Sequence, residues 1–269
     1  MVLRNFKPID YNQGACPYGE NAVAKLTVLY NRGSHQHRYD PELDRATRFQ
    51  LMREHGFYQI EGRAIIPTCA SCHKCVPLRI NGEKAIPSTS RQNRHLKQMQ
   101  RFSYDLIESG RETHEHFALF SSYMRQRHAG SEMNDISRED FMRKSKVRTH
   151  ALEVRDMEND NALVAYAWVD MHGNEASFDY LCYDVDISKK EGLGTFSWYA
   201  LIDVCQRHDI EYMYDGIWVE GSPQMDYKKK FPGQETLVEG KWVDFDPDIH
   251  IERCDAEDIL DRLLENGLE

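Results

Sequence analysis

Cys69, Cys72 and Cys75 stand three residues apart in the stretch IPTCASCHKCVPLRI (66–80), and Cys16 lies earlier in GACPYG. Thiolates are soft ligands, and four of them suit a tetrahedral zinc site or an iron–sulfur cluster. His73, or His35 and His37, offer imidazole in place of a thiol. The same spacing admits two other readings: a Cys-x-x-Cys redox couple, or thiols that pack as small buried residues. Cys182, Cys205 and Cys254 fall in strand or helix patterns and read as packing residues. Seven cysteines is an odd count, and the N-terminus MVLRNFKPIDYNQGA has no apolar export signal. A disulfide framework is therefore not expected, and the expected location is the cytoplasm.

Three further stretches could hold anions. Lys189-Lys190-Glu191-Gly192-Leu193-Gly194 opens a helix, where glycines allow close approach and unpaired N–H groups face an anion. Its alternative is a plain tight turn. Arg91, Arg94, Lys97 and Arg101 recur at helical spacing after Pro87-Ser88, so they form either a phosphate-following stripe or a solvated face. Lys228-Lys229-Lys230 has the same two readings. Arg125, Arg127 and His128 close a helix, where a guanidinium fork could receive a carboxylate or phosphate.

The elements that must carry these groups are legible in outline. The chain has 269 residues, 41% hydrophobic and 29% charged, which is the composition of an ordinary globular protein. No apolar run approaches a membrane span. The net charge of −10 excludes a generally basic surface, so any nucleic-acid contact must be a local patch on an acidic body. Residues 40–57 read as a helix with Asp40 as N-cap, Pro41 in the first turn and Gly56 at the end. ETHEHFALFSSYMRQRH predicts a second helix with Phe117, Phe120 and Tyr123 on its core stripe. THALEVRD, ALVAYAWVDMHG and ASFDYLCYDVD predict a strand meander, followed by the Gly-rich turn, a helix and the strand EYMYDGIWV. This order predicts an α/β unit with a ligand near the glycines. An acidic terminal segment, with Ile251, Ile259, Leu260, Leu263 and Leu264 at amphipathic spacing, closes the chain. The expected division is 1–110, 111–245 and an acidic tail, 246–269.

The glycine loop after a strand resembles the acyl-CoA loop of GCN5-related N-acetyltransferases. A longer series is more specific. It runs from Cys16-Pro17-Tyr18 through Gly56-Phe57, the cysteine run ending in Val76-Pro77-Leu78-Arg79, Pro87-Ser88, Tyr123 and Arg127-His128. It continues with Tyr183-Asp184, Asp186, Gly192-Leu193-Gly194-Thr195, Gly216-Ile217-Trp218-Val219, Gly221-Ser222, Met225, Tyr227-Lys228 and Phe231. This order resembles the aminoacyl-tRNA–protein transferases: the bacterial aspartate/glutamate leucyltransferases and their arginyltransferase relatives.

The resemblance implies an α/β protein in which a cysteine-bearing N-terminal domain precedes a transferase domain of acetyltransferase-like fold. It implies transfer of leucine or arginine from aminoacyl-tRNA to the α-amino group of a protein beginning with Asp or Glu, marking that protein for degradation. An amine attacks an ester that is already activated, so no cofactor is required for the chemistry. Tyr183 or Asp184 would orient the amine or relay a proton, with N–H groups near Gly194-Thr195 at the oxyanion or terminal phosphate. Arg91, Arg94, Arg127, His128, Asp215, Trp218, Ser222, Tyr227 and Lys228 would bind the substrates, and Cys16, Cys69, Cys72 and Cys75 any metal.

Two positions depart from the pattern. Thr89 stands where the family carries an arginine suited to an acidic acceptor, and Arg91, Arg94 or Arg127 would have to compensate. Ile217 replaces a tyrosine, preceded by Asp215, an acid that together with Asp179 could suit a cationic aminoacyl group. The other readings are a relative acting on a different amine, such as a small molecule, and a non-catalytic, metal-bearing RNA-binding module.

Overall fold

Asp44 caps helix α1 (Arg45–His55), while Asp40 and Pro41, the start expected from sequence, lie outside the described residues. The Asp44 carboxylate accepts the Thr47 N–H at 2.9 Å, satisfying one of the donors a helix leaves open. The cap falls four residues later than the sequence predicts, while Gly56 ends the helix in the left-handed region (φ 69°) as expected. The structure, a computed structural model, describes residues 6–16, 18, 23–31, 43–69, 72–86, 93, 97, 100–129, 132–249 and 256–266. Among them no helix is long and apolar enough to cross a membrane.

The chain forms two compact units, residues 1–81 with 214–269, and residues 82–213. In the first, β1 (Phe6–Ala15), β2 (Val23–Asn31), β3 (Tyr58–Ile60) and β4 (Arg63–Pro67) form an antiparallel sheet in the order β1-β2-β4-β3. A second row of strands follows the order β12-β11-β5-β10, made of β5 (Cys75–Asn81), β10 (Tyr212–Val219), β11 (Gln234–Val238) and β12 (Lys241–Asp244). The terminal helix α6 (Ala256–Asn266) packs on β1 and buries Ile259, Leu260 and Leu263 of the amphipathic set read from sequence, with Leu264 half-buried and Ile251 outside the described residues.

The second unit contains β6 (Phe102–Glu108), α2 (His114–Arg127), α3 (Arg138–Ser145), β7 (His150–Asp156), β8 (Ala162–His172), β9 (Glu175–Tyr183), α4 (Val185–Glu191) and α5 (Leu193–Arg207). The residue-110 boundary expected from sequence falls between β6 and α2, inside this unit. Its strands pair antiparallel as β9-β8-β7-β6, so the predicted meander is present. Phe120, Phe141, Tyr166 and Trp168 pack face and edge at 5.2–6.1 Å between ring centroids. Such pairs add about 0.5–1.5 kcal/mol each beyond the area they bury. The class is mixed α/β, as expected. One element is additional: the segment VDISKKE, read as strand end and turn, is helix α4.

Several polar groups in the core of the second unit are paired. The buried Arg148 guanidinium bonds the Asp179 carboxylate and lies 4.6 Å from the centre of the Trp168 ring. The Trp168 Nε1–H donates to Ser145 Oγ at 2.9 Å, and the Tyr166 hydroxyl donates to Glu112 at 3.0 Å. His116 Nδ1 accepts the Thr113 N–H at 3.0 Å, which leaves the proton on Nε2, where it meets Glu153 at 2.7 Å.

Candidate active site

In the second unit, Tyr183 ends β9 and Asp184 begins α4. The two adjacent residues do different work. One Asp184 oxygen accepts the N–H groups of Asp186 and Ile187, both at 2.9 Å, so this carboxylate is the N-cap of α4. That is a structural occupation for a group read from sequence as a proton relay. Tyr183 instead faces the reading's other elements. Its ring meets Tyr123 edge-on at 4.9 Å, and their hydroxyls share a hydrogen bond. Burial, and secondarily Tyr183, push the Tyr123 pKa well up, so its phenol stays protonated.

His128 also packs against Tyr123, tilted by 58° with 5.5 Å between ring centroids. Loss of water against that ring and the charge of Arg127 both lower its pKa, so the imidazole is neutral at neutral pH although much of it is exposed. Arg127 itself is exposed. The structure therefore brings together Tyr183, Arg127 and His128 of the predicted residues, with Tyr123 joining them.

Gly192 ends α4 and begins α5, with φ 68°. No side chain caps α5 at Gly192; the nearest substitute is Ser188 Oγ, which accepts the Gly194 N–H at 3.3 Å. Thr195, half-buried, follows in the first turn of this 15-residue helix, whose N-terminal N–H groups carry partial positive charge. Gly194 is required for another reason. A Cβ there would stand 2.8 Å from Tyr183 Cε1 and 3.0 Å from Cζ.

In the first unit, β10 carries Asp215, Trp218 and a bulge. Tyr214 packs against Phe49 and Trp242, while Ile217 and Val219 pack with Val28, Tyr58 and Ile65. Trp218 lies on the opposite face with Val76 and Leu78. Regular alternation cannot put Tyr214 and Ile217 on one side; Gly216, at φ 83°, breaks it. The carbonyls of Asp215 and Ile217 then converge on the buried Lys228 ammonium, which donates to both, the second at 2.8 Å. Lys228 is thus held inside the fold rather than presented to a phosphate. Lys229 pairs with Asp226 at 2.7 Å and lies 5.4 Å from the Trp218 ring. Ser222 is buried in a turn, its N–H on the Val219 carbonyl, and Tyr227 packs edge-on against Phe231 at 6.2 Å.

The two acids read as a receptor for a cation are both engaged. Asp179 is bonded to Arg148. Asp215 is buried, and its Oδ2 accepts Gln234 Nε2 at 3.3 Å. Gln234 escaped the sequence reading, since a lone glutamine in a strand carries no chemical signature.

Among the described residues no three His, Cys, Asp or Glu side chains stand close enough to hold a metal ion. Cys69 Sγ accepts the Lys25 N–H at 3.3 Å, and Cys75 packs with Tyr18 and Leu26 at the rim of the Val28–Ile65 cluster. The Cys72 N–H donates to the Cys69 carbonyl at 3.5 Å. Cys16, Cys69, Cys72 and Cys75, the thiols read from sequence as candidate ligands, form no disulfide among the described residues. Cys182 and Cys205 are buried, as expected of packing residues. Arg91, Arg94, Thr89, His35, His37 and Cys254 lie outside the described residues. Arg101, at the end of the expected basic stripe, forms a structural fork with Asp156, at 2.7 Å for its shorter arm.

Residues 115–238 match the family model described as arginine-tRNA-protein transferase, C terminus. An aspartate/glutamate leucyltransferase of Methylobacillus flagellatus is 34% identical over 201 residues, which is 74% of this chain and 77% of that protein. One from a Jannaschia species is 31% identical over 241 residues, covering 86% and 77%. Among solved structures, FemX aligns over 91% of this chain and 82% of its own at 8% identity, with a TM-score of 0.42.

Proposed function

As this chain belongs to the aminoacyl-tRNA–protein transferase family, and is therefore an aminoacyltransferase, we propose that it moves leucine from leucyl-tRNA to the α-amino group of proteins that begin with Asp or Glu. The setting is the cytoplasm, where aminoacyl-tRNA is made, and the product is a protein marked for degradation. What carries the choice of an uncharged donor is the state of the two acids. A guanidinium would need a carboxylate open to it, and Asp179 is bonded to Arg148 while Asp215 is buried on Gln234. The names of the relatives point the same way.

The reaction needs little beyond alignment. The neutral α-amino group attacks the ester carbonyl, the tetrahedral oxyanion forms, and the ribose oxygen leaves with a proton. His128, neutral and half in water, takes the proton of the attacking amine. The Tyr123–Tyr183 hydroxyl pair hands one to the leaving oxygen. The open N–H groups at Leu193 and Thr195 receive the oxyanion or the terminal phosphate. Exposed Arg127 receives the acidic side chain of the acceptor, in place of the arginine that Thr89 lacks. No cofactor takes part.

The test crosses leucyl- and arginyl-tRNA, each labelled in the amino acid, with peptides beginning in Asp, Glu or a neutral residue and with a pool of small amines. Label from leucyl-tRNA should reach only the Asp and Glu peptides. Transfer from arginyl-tRNA, or to a neutral or small amine, overturns the donor or acceptor assignment respectively.

A further inference from the structure

We propose that Asp215 is held as the protonated acid in a closed ring with Gln234, and that this ring, with Lys228 under Gly216, positions β10 for aminoacyl transfer. The positional role rests on the transferase reading above; the protonation does not.

Three observations lead there. First, Gln234 Nε2 donates to Asp215 Oδ2, yet the remaining oxygen of each group, Asp215 Oδ1 and Gln234 Oε1, is buried without a hydrogen-bond partner among the described side chains and backbone. A buried acceptor left bare is costly, and here two belong to the same two planar groups. An ionised carboxylate can satisfy neither orphan from the other, as both only accept. One proton on Oδ1 turns it into a donor to Oε1 and completes both. The result is a cyclic acid–amide pair, with O–H to the amide oxygen and N–H to the acid oxygen.

Second, Lys228 ignores the carboxyl group. Its ammonium donates to the main-chain carbonyls of Asp215 and Ile217. A buried carboxylate beside a buried ammonium would draw those donors to itself, because charge-assisted hydrogen bonds are the stronger kind. Third, the surroundings supply little to keep Asp215 ionised. It is 4% exposed, and burial raises its pKa against two smaller opposing influences, the charge of Lys228 and a hydrogen bond from its own main-chain N–H. On β11, Glu235 faces the other way, onto Arg79 at 2.8 Å. From the turn, Lys229 is engaged by Asp226 and the Trp218 ring.

Deprotonation has a mechanical consequence. A carboxylate at Asp215 would set Oδ1 against Oε1 and pull the Lys228 ammonium off the two carbonyls that hold the Gly216 bulge. The bulge fixes which face Ile217 and Trp218 take. Transfer should therefore fail on an alkaline limb, at a pH above the ordinary carboxyl range, as the ring opens.

Infrared difference spectra of the full chain in heavy water, with and without isotope-labelled aspartate carboxyl groups, read the proton directly. A protonated carboxylic-acid band at neutral pH, absent from Asp215→Asn, is expected. In Asp215→Asn the amide reproduces both ring hydrogen bonds, so transfer should stay within about threefold of the parent and lose the alkaline limb, whereas Asp215→Ala should lose about tenfold or more. No protonated-acid band at neutral pH, or one that survives in Asp215→Asn, overturns the ring. A folded Asp215→Asn that keeps the alkaline limb, or an Asp215→Ala as active as the parent, overturns the positional role. Should Asp215→Asn fail to fold, the labelled parent titrated alone decides: its band must persist above the ordinary carboxyl range. If the parent transfers nothing from any tRNA, the functional reading fails while the spectra still decide the ring.

Discussion

The ring of Tyr183 lies so close to Gly194 that a single methyl group on that glycine would stand 2.8 Å from Cε1. Tyr183 cannot easily retreat, because Tyr123 packs against it at 4.9 Å. Gly194→Ala should therefore push the phenol off its hydrogen bond with Tyr123. Replacing glycine in a helix gains up to about 1 kcal/mol, and overpacking costs about 1–3 kcal/mol, so the net stability change is small. Turnover should fall by about tenfold or more with the melting temperature little moved, since the barrier depends on atomic placement. Unchanged turnover in a folded Gly194→Ala would remove Tyr183 from the reaction.

Asp184 separates charge from capping. Asparagine caps helices about as well as aspartate, whereas alanine costs about 1 kcal/mol. Asp184→Asn should keep both stability and transfer, and Asp184→Ala should lose stability alone. A large drop in turnover for Asp184→Asn, measured beside an unaltered unfolding curve, would restore the carboxylate to the chemistry.

His128 and Arg127 set the acid limb of the pH profile. A base is active when neutral, and this imidazole is held below its ordinary value by desolvation and by Arg127. Transfer should therefore persist into mildly acidic solution and fall only below the usual imidazole range. Arg127→Gln removes one of the two depressing influences, so the limb should move to higher pH. A profile identical in parent, Arg127→Gln and His128→Gln would show that His128 carries no proton in the reaction.

Breaking the buried Arg148–Asp179 pair from one side leaves a guanidinium uncompensated against Trp168. Asp179→Asn should cost about 3–5 kcal/mol in denaturant unfolding. It should not open the enzyme to arginyl-tRNA. Transfer of arginine by the folded variant would mean that Asp179 guards the donor site.

Glu153 provides a stability signature at low pH. Burial alone would raise its pKa, but hydrogen bonds from His116 and Arg155 outweigh that and hold it at about 2. A carboxylate depressed in the folded state contributes stability above its unfolded value of 4.5, and that stability drains away as pH falls towards 2. The contribution is up to about 3 kcal/mol. Glu153→Gln should therefore be less stable at neutral pH, and the gap to the parent should close between those two values.

The meander, the helix stripe of Phe117, Phe120 and Tyr123, and the left-handed Gly56 were all readable, because period and glycine report local backbone preference directly. What sequence could not supply was the partner of each polar group. Asp179 and Asp215 look alike as acids at strand positions; only the fold puts one on Arg148 and the other on Gln234. Lys228 looked like a phosphate ligand because a triple lysine is usually solvated, and the bulge that swallows it depends on two carbonyls that no side chain announces. The contacts of the thiols were hidden in the same way: Cys69 meets the Lys25 N–H and Cys75 packs with Tyr18 and Leu26, neighbours that spacing alone cannot name.

The first unit is assembled from both ends of the chain, with residues 82–213 between them. A ribosome therefore emits β5 more than a hundred residues before its neighbours β10 and β11 exist. The intervening unit carries all four of its own paired strands and can complete itself first, as domains generally do during synthesis. Meanwhile Val76, Leu78 and Ile80 wait on a strand with both edges open. A chain stalled shortly after residue 213 would present that strand to the cell, a ready template for mispairing or for a chaperone. Strands made near the end of synthesis thus close both edges of one made near its start.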